Sequence, residues 1–328
     1  MSLAFSLSAF TDLTFWSGVL ALAGIYALVA LGLQLNVGFT GIVNFGQAGF
    51  MAVGAYSMAI LVLKASFSFW LALPTAMLIT MAFGVLVGLP ALRLRADYFA
   101  IVTLATAEVV RLFAQNARGL TEGNRGLYCN FGGGSSTCYD DSWRSVSDSI
   151  LHFIDNFWSN VDALVPLVLV LWATVGLATL VLVYIQKTPW GRVLRAVRED
   201  EDAARALGKN TLLYKLQSLA ISAALGALAG FFLALYLATV TPNDYEPLVT
   251  FFAYGVLILG GLASYRGIAL ASILFWALLE GTRYVELPIS GEKTAALRYA
   301  IVGAVLILFM AFRPQGLFGK REEMVLGD

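Results

Sequence analysis

Apolar stretches of about 20 residues recur along almost the whole chain, and they constrain the fold more than any other feature. About 20 helical residues cross a hydrocarbon core roughly 30 Å thick, and a helix satisfies its own backbone groups there. The sequence therefore predicts an all-α, polytopic membrane protein with about nine spans, although eight or ten also fit. The nine predicted spans are residues 15–36, 41–63, 69–91, 97–117, 161–185, 214–239, 249–265, 268–287 and 295–312.

The composition favours lipid rather than water as the solvent. Of the 328 residues, 59% are hydrophobic and 13% are charged, which is about half the charged fraction of an average soluble domain. The mean hydropathy is +0.79. The 21 basic residues are balanced by 21 acidic ones, so nothing indicates binding to nucleic acid. We treat residues 1–328 as one transmembrane domain in contact with membrane lipid.

The positions of Lys and Arg predict the orientation, because basic residues of short loops are retained on the cytoplasmic side. Segment 186–215 holds seven of them, and three more follow residue 312. Alternating spans then place Arg93 and Arg95 inside as well, with the N-terminus outside and the C-terminus cytoplasmic. Residues 1–14 contain no Lys or Arg, so we expect no signal peptide.

One long loop, residues 119–160, is predicted to be extracytoplasmic and contains both cysteines, Cys129 and Cys138. Two arrangements fit: a disulfide on the oxidising side, or two unpaired thiols in a flexible loop. The single His152 has no partner at ligand spacing, so no metal site is predicted.

The second half of this loop has the pattern of an amphipathic helix. Large apolar residues repeat there at intervals of three and four. Such a helix rests on lipid headgroups or presents a surface to an external protein. The apolar residues are Trp143, Val146, Ile150, Phe153 and Phe157.

A block of charge interrupts the apolar pattern at residues 186–213. Thr188 and Pro189 offer a helix start and Gly208 a stop, so residues 189–207 form one helix or two short ones. Because the side chains of its alanines are small, another backbone can approach this segment closely. A helix that docks in the groove of a partner fits this pattern, and so does a solvated cytoplasmic loop.

A polar stripe lies in and just before the second predicted span. Asn36, Thr40, Asn44 and Gln47 are spaced by four, four and three residues, which places them on one face of a helix. Polar groups are costly against lipid, so this face contacts protein or water. Two interpretations remain open: an interhelical hydrogen-bonding seam, or one wall of a translocation path beside a locally broken helix.

Four segments together resemble one family. Residues 202–208, DAARALG, resemble the EAA---G signature of permease subunits of ATP-driven importers, with Asp in place of the first Glu. Residues 33–61, LQLNVGFTGIVNFGQAGFMAVGAYSMAIL, resemble the glycine-rich second-helix region of the Liv-type permeases. Residues 92–127 and the sequence RPQGLFG at 313–319 resemble the same family in the same order. Asn44 departs from the Ser of many relatives, which bears on substrate choice.

The resemblance implies a function and a set of partners. The family imports hydrophobic or neutral amino acids of the branched-chain type, and related permeases for urea and amides are the nearest alternative. It implies a second homologous permease subunit, two ATP-binding-cassette ATPase subunits and an extracytoplasmic substrate-binding protein, at a bacterial inner membrane. The residues that it assigns to an ATPase-coupling helix are Glu201, Asp202, Ala203, Ala204 and Gly208.

Other classes of protein find less support in the sequence. No G-x-x-x-x-G-K-[ST] motif occurs, so we do not expect the chain to hydrolyse ATP. No catalytic residues or cofactor motif indicate an enzyme. An ion-coupled secondary transporter needs intramembrane carboxylates, and only Glu108 lies deep within a span. Arg111 follows it at a spacing that lets the two side chains pair.

Overall fold

The computed structural model describes residues 13–132, 135–155, 162–262, 264–282, 291–313 and 315–317. These residues are predominantly helical, which confirms the all-α prediction. The helices are α1 (Leu13–Leu33), α2 (Gln47–Leu63), α3 (Phe69–Ala91), α4 (Ala96–Asn116), α5 (Arg118–Thr121), α6 (Asp141–Asp155), α7 (Val165–Lys187), α8 (Pro189–Glu199), α9 (Glu201–Ala206), α10 (Thr211–Leu237), α11 (Pro247–Gly260), α12 (Tyr265–Gly281) and α13 (Gly291–Phe312).

Three short elements and one hairpin complete the described structure. A π-helical segment, Gln34–Phe39, continues α1, and 3₁₀ turns lie at Gly123–Arg125 and Pro242–Tyr245. Strands β1 (Cys129–Gly132) and β2 (Ser135–Cys138) pair antiparallel. The hairpin is a local addition that the helical prediction did not include.

Each predicted span has a corresponding helix in the described residues. Four helical segments are long and apolar enough to cross a membrane. They are Leu13–Phe39, Phe69–Ala91, Val165–Lys187 and Thr211–Leu237. Shorter apolar helices, including α2 and α11, pack beside them. The number of crossings stays a prediction, and residues 161 and 283–287, where two predicted spans began or ended, lie outside the described residues.

Helices α1 and α10 form the centre of the bundle and are buried along most of their length. Helix α1 is itself apolar on all faces, which is typical of a helix enclosed by others. Helices α2, α3, α7, α11 and α12 pack around these two. The central pair therefore fixes the positions of the elements that carry polar groups.

Close backbone packing joins α10 to α2. A Cβ atom added at Gly230 would lie 2.1 Å from the carbonyl oxygen of Met51, and one at Gly54 would lie 2.4 Å from the Cα of Ala227. With Gly226 one turn earlier, Gly230 completes a G-x-x-x-G pattern on α10. Small residues of this kind bring membrane helices into direct backbone contact.

One end of the bundle, which we call the basic end, collects the charged segments. The turn with Arg93 and Arg95, the helices α8 and α9, and the first turn of α10 line one cavity there. The tail joins the same end, where the Leu317 amide donates to the carbonyl of Leu259. This grouping agrees with the predicted alternation of the spans.

Candidate functional site

The chain between α1 and α2 is a broken helix rather than one continuous helix. The π-helical segment ends at Phe39, residues 41–46 are not helical, and α2 begins at Gln47. Gly41 has a φ of +73°, a conformation that favours glycine, so the helix stops there. The prediction that Asn36, Thr40, Asn44 and Gln47 share one helical face is therefore wrong, because the break reorients the chain between them.

The first half of the broken helix bonds to α10. The hydroxyl of Thr40 lies 2.8 Å from that of Ser218, and the Ser218 hydroxyl donates to Asn36 Oδ1 at 3.1 Å. Asn36 and Thr40 are both buried. Asn36 Nδ2 has no hydrogen-bond partner within the described residues. These side chains form a polar seam inside the subunit.

The second half continues the same seam. Gln47 Nε2 donates to the carbonyl of Ser222 at 2.9 Å, and Gln47 Oε1 accepts from the Ser222 hydroxyl at 3.1 Å and from Asn44 Nδ2 at 3.3 Å. The Tyr254 hydroxyl donates to the carbonyl of Asn44 at 2.9 Å. All four predicted polar residues thus contact protein, as the seam interpretation requires. Whether they also border a path stays a prediction.

The sequence analysis did not single out the partners on the other side of the seam. Ser218 and Ser222 are four residues apart, so they share one face of α10, and both are fully buried. Thr250 of α11 is also buried, and its hydroxyl accepts from the Ala48 amide at 3.0 Å. The Ser-x-x-x-Ser spacing in an apolar helix was the available signal.

Replacing Gln47 by leucine is expected to destabilise the folded protein by about 1–3 kcal/mol. The substitution removes the acceptor of Ser222 and Asn44 and the donor to the Ser222 carbonyl, and all three residues are fully buried. Thermal unfolding of the purified variant measures the loss. The control is Thr174→Val, which removes only a hydroxyl bonded within its own helix, to the carbonyl of Val170. Equal unfolding temperatures for the two variants would contradict the seam.

The charged block folds as two short helices. Pro189 begins α8 after Thr188, whose hydroxyl donates back to the carbonyl of Ile185. Asp200 then breaks the helix, and its carboxylate accepts from the amides of Asp202 and Ala203, both at 2.9 Å, as the N-cap of α9. Gly208, with a φ of +77°, ends the segment. Of the two predicted arrangements, the structure selects the pair of helices.

The two alanines of the predicted coupling residues differ in exposure. Ala203 is exposed, whereas Ala204 is buried. The expectation that both present a docking surface is therefore wrong for Ala204, which faces its own subunit. Ala203, Ala206 and Leu207 lie at i, i+3 and i+4, so they form one exposed apolar face, with Leu207 80% exposed.

Ion pairs attach α9 to α10. The Glu201 carboxylate lies 2.7 Å from Arg205 Nη2 and 2.5 Å from Lys215 Nζ. Arg205 also contacts Asp202 and donates from Nε to the Thr211 hydroxyl at 3.0 Å. Partial burial raises the pKa of Glu201, but Lys215 and Arg205 outweigh it and hold that pKa below its ordinary value.

The Glu201 contacts are expected to weaken in acid. A carboxyl whose pKa is lowered by folding stabilises the folded state above its unfolded pKa, and this contribution is lost as the pH falls through the folded value. Hydrogen exchange of residues 200–207 in the wild type should therefore lose protection below the ordinary carboxyl range. A Glu201→Gln variant should show weaker protection at neutral pH and little change on acidification. The same pH dependence in both proteins would contradict this role.

Glu108 and Arg111 form the ion pair that their spacing predicts. Arg111 Nε lies 2.9 Å from Glu108 Oε2, and Nη2 lies 2.5 Å from Oε1. The Glu108 side chain is 36% exposed on α4, and that of Arg111 is 16% exposed. This charged pair lies on the surface of the isolated subunit, within a helix of 21 residues.

The end of the bundle opposite the basic end carries the hairpin and α6. Cys138 is disulfide-bonded, and the register places Cys129, the chain's other cysteine, opposite it. Mass analysis of the unreduced protein is the chemical test of the predicted bridge. In α6, Trp143 is buried and Phe153 is 68% exposed, so this helix packs on the subunit at one end. Phe157 lies outside the described residues.

A bundle of apolar helices, crossed by a buried polar seam and carrying a charged pair of short helices at one end, defines a multi-pass membrane transport protein. Residues 15–310 match the family described as "Branched-chain amino acid transport system / permease component". The chain belongs to this family, whose members are transport subunits rather than enzymes.

Curated relatives agree with the family match. LivM of Escherichia coli K12, named as a high-affinity branched-chain amino acid transport system permease, is 34% identical over 305 residues, or 91% of this chain and 69% of the relative. A probable LivM of Methanocaldococcus jannaschii is 25% identical, with 93% of each chain covered. LivH of Escherichia coli K12 is 25% identical over 92% of this chain and 93% of its own. No solved structure matches the chain.

Proposed function

We propose that this chain is a transmembrane permease subunit of an ATP-binding-cassette importer for branched-chain and other hydrophobic amino acids. Two separate ATPase subunits supply the energy, a second homologous permease completes the path, and an extracytoplasmic binding protein delivers the substrate. The names of the relatives support the substrate class and do not favour the urea or amide alternative. The basic end is cytoplasmic, as the positive-inside rule requires, and the membrane is the inner membrane of a bacterium.

The exposed apolar face of α9 is the observation that carries the coupling role. Ala203, Ala206 and Leu207 form this face, while Ala204, Glu201 and Arg205 attach the opposite side to the subunit. A rigidly held helix with a low apolar surface transmits force better than a mobile loop. We therefore assign α9 and Gly208 to the cleft of an ATPase subunit.

The surface of α4 supports contact with a second permease. Glu108 lies at the thirteenth residue of the helix, about 18 Å from its start at 1.5 Å per residue, which is close to the middle of a membrane. A charged pair that is partly exposed at that depth faces protein or a water-filled path rather than lipid. The homologous permease covers this face, and the path lies between the two subunits.

The broken helix is placed to border that path. The amide of Phe45, in its non-helical part, donates to the Thr103 hydroxyl of α4 at 3.0 Å. Discontinuous helices at membrane depth occur where backbone lines a cavity or a binding site. On the side away from the path, this segment is held by the hydrogen bonds of Asn36, Thr40, Asn44 and Gln47. The unpartnered amide nitrogen of Asn36 is then the donor that gains a partner when the segment rearranges.

Reconstitution of the four kinds of subunit in liposomes tests the function. Leucine uptake is expected to require internal ATP and the ATPase subunits, to persist with a protonophore, and to exceed urea uptake. Omission of the ATPases provides the control. Uptake without them that a protonophore abolishes would identify a secondary transporter, and preferred import of urea would identify an amide importer.

A further inference from the structure

A cavity of about 480 Å³ lies at the basic end, between the broken helix, the α3–α4 turn and the pair α8 and α9. We propose that it binds the phosphate group of an anionic phospholipid of the adjoining leaflet. The position of the cavity at the headgroup level rests on the proposed topology. Binding itself does not depend on the coupling role of α9.

The lining of the cavity is strongly cationic. Five basic side chains line it and only one carboxylate, Glu201, which is already paired with Arg205 and Lys215. Within the described ranges, no carboxylate pairs with Arg93 or Arg95, and both are exposed. Guanidinium groups bind phosphate oxygens through paired N–H donors, so an uncompensated pair of arginines favours a phosphate ligand. The basic side chains are Arg93, Arg95, Arg198, Arg205 and Lys215.

Apart from Thr40, the uncharged side chains of the lining are apolar, which favours a lipid over a free phosphate ion. Ile42 and Phe99 are buried at the cavity wall, and Leu92 lies beside them. Leu94 belongs to the same lining and is 46% exposed at the surface. Tyr98, in the first turn of α4 beside the cavity lining, is 60% exposed, and an amphipathic ring there suits a membrane interface.

The geometry also separates this cavity from the docking face of α9. Glu201 and Arg205 face the cavity, whereas Ala203, Ala206 and Leu207 are not part of its lining. A lipid phosphate in the cavity would contact the α3–α4 turn and α9 together, and so link them. Basic pockets between membrane helices on the cytoplasmic side bind anionic headgroups in this way.

Native mass spectrometry of the full-length protein in a neutral detergent tests the proposal. The protein is titrated with phosphatidylglycerol, phosphatidylcholine and inorganic phosphate, and the mass spectrum gives the number of molecules of each that stay bound. We expect one retained phosphatidylglycerol, little phosphatidylcholine, and weak competition by phosphate. The double variant Arg93→Gln, Arg95→Gln should bind phosphatidylglycerol about 30-fold more weakly. The control Arg192→Gln, an exposed arginine of α8 outside the cavity, should bind as the wild type does.

Three outcomes would overturn the proposal. Equal retention of both lipids, or unchanged binding by the double variant, would show that the cavity is not a phospholipid site. Displacement of phosphatidylglycerol by equimolar phosphate would identify a soluble phosphate as the ligand. If the double variant does not fold, the salt dependence of wild-type binding decides, because a site built on arginines must weaken at high salt.

Discussion

Replacement of Ala203 by glutamate is expected to reduce amino-acid import by about 30-fold while leaving membrane insertion intact. Ala203 is exposed on α9, so a larger charged side chain does not disturb the packing of its own subunit. The glutamate side chain does, however, prevent the ATPase surface from packing closely against the apolar face that Ala203 shares with Ala206 and Leu207. ATP hydrolysis in the assembled importer should then continue without transport, which parallel assays of uptake and phosphate release measure.

Two further variants separate docking from folding. Ala65→Glu places the same charge at an exposed alanine between α2 and α3, away from the basic end, and should transport normally. Ala204→Glu introduces a charge at a buried position and should reduce the amount of folded protein. Normal import by the Ala203 variant would remove α9 from the coupling mechanism. A similar loss in the Ala65 variant would indicate a general effect of added charge.

Replacement of Gly230 by alanine is expected to destabilise the bundle by about 3 kcal/mol, near the upper end of overpacking costs. The added Cβ would lie 2.1 Å from a backbone oxygen of Met51, so no side-chain rotation relieves the clash and α2 must move away from α10. That movement also separates Gln47 from Ser222, whose hydrogen bonds need the same close approach. Unfolding of the purified variants by heat or by denaturing detergent measures the change.

Gly176→Ala is the matched control for this substitution. Gly176 lies in the middle of α7, and a Cβ added there meets nothing within 4 Å. Alanine is also the better helix former, so this variant should be as stable as the wild type or slightly more stable. If Gly230→Ala were equally harmless, α2 and α10 would not be in backbone contact.

Much of the bundle was predictable, because apolar length is a local property. The third predicted span, 69–91, has the same bounds as α3, and the fourth differs from α4 by one residue at each end. The pairing of Glu108 with Arg111 follows from spacing on one helix, and it was also correct. The second span was predicted to begin at residue 41, but its helix begins at Gln47. Periodicity alone does not reveal a helix break that one glycine, Gly41, makes by adopting a positive φ.

The candidate site was only partly accessible to the same reasoning. The block at 186–213, and a pair of short helices as one of its two arrangements, followed from composition and from the helix start and stop signals. The opposite exposures of Ala203 and Ala204 did not, because the two alanines are locally equivalent. The structure distinguishes them through Lys215 and Thr211 of α10, which hold Glu201 and Arg205 and so set the rotation of α9.

The sequence by itself determined a helical, polytopic membrane protein, its approximate spans and the location of the charged helices, because each depends on hydrophobicity or spacing within a short window. The tertiary structure alone decided which polar groups meet: Ser218 and Ser222 opposite the broken helix, and five basic residues around one cavity. These contacts join residues far apart in the chain. They depend on how closely α2, α3 and α10 approach, which no local pattern specifies.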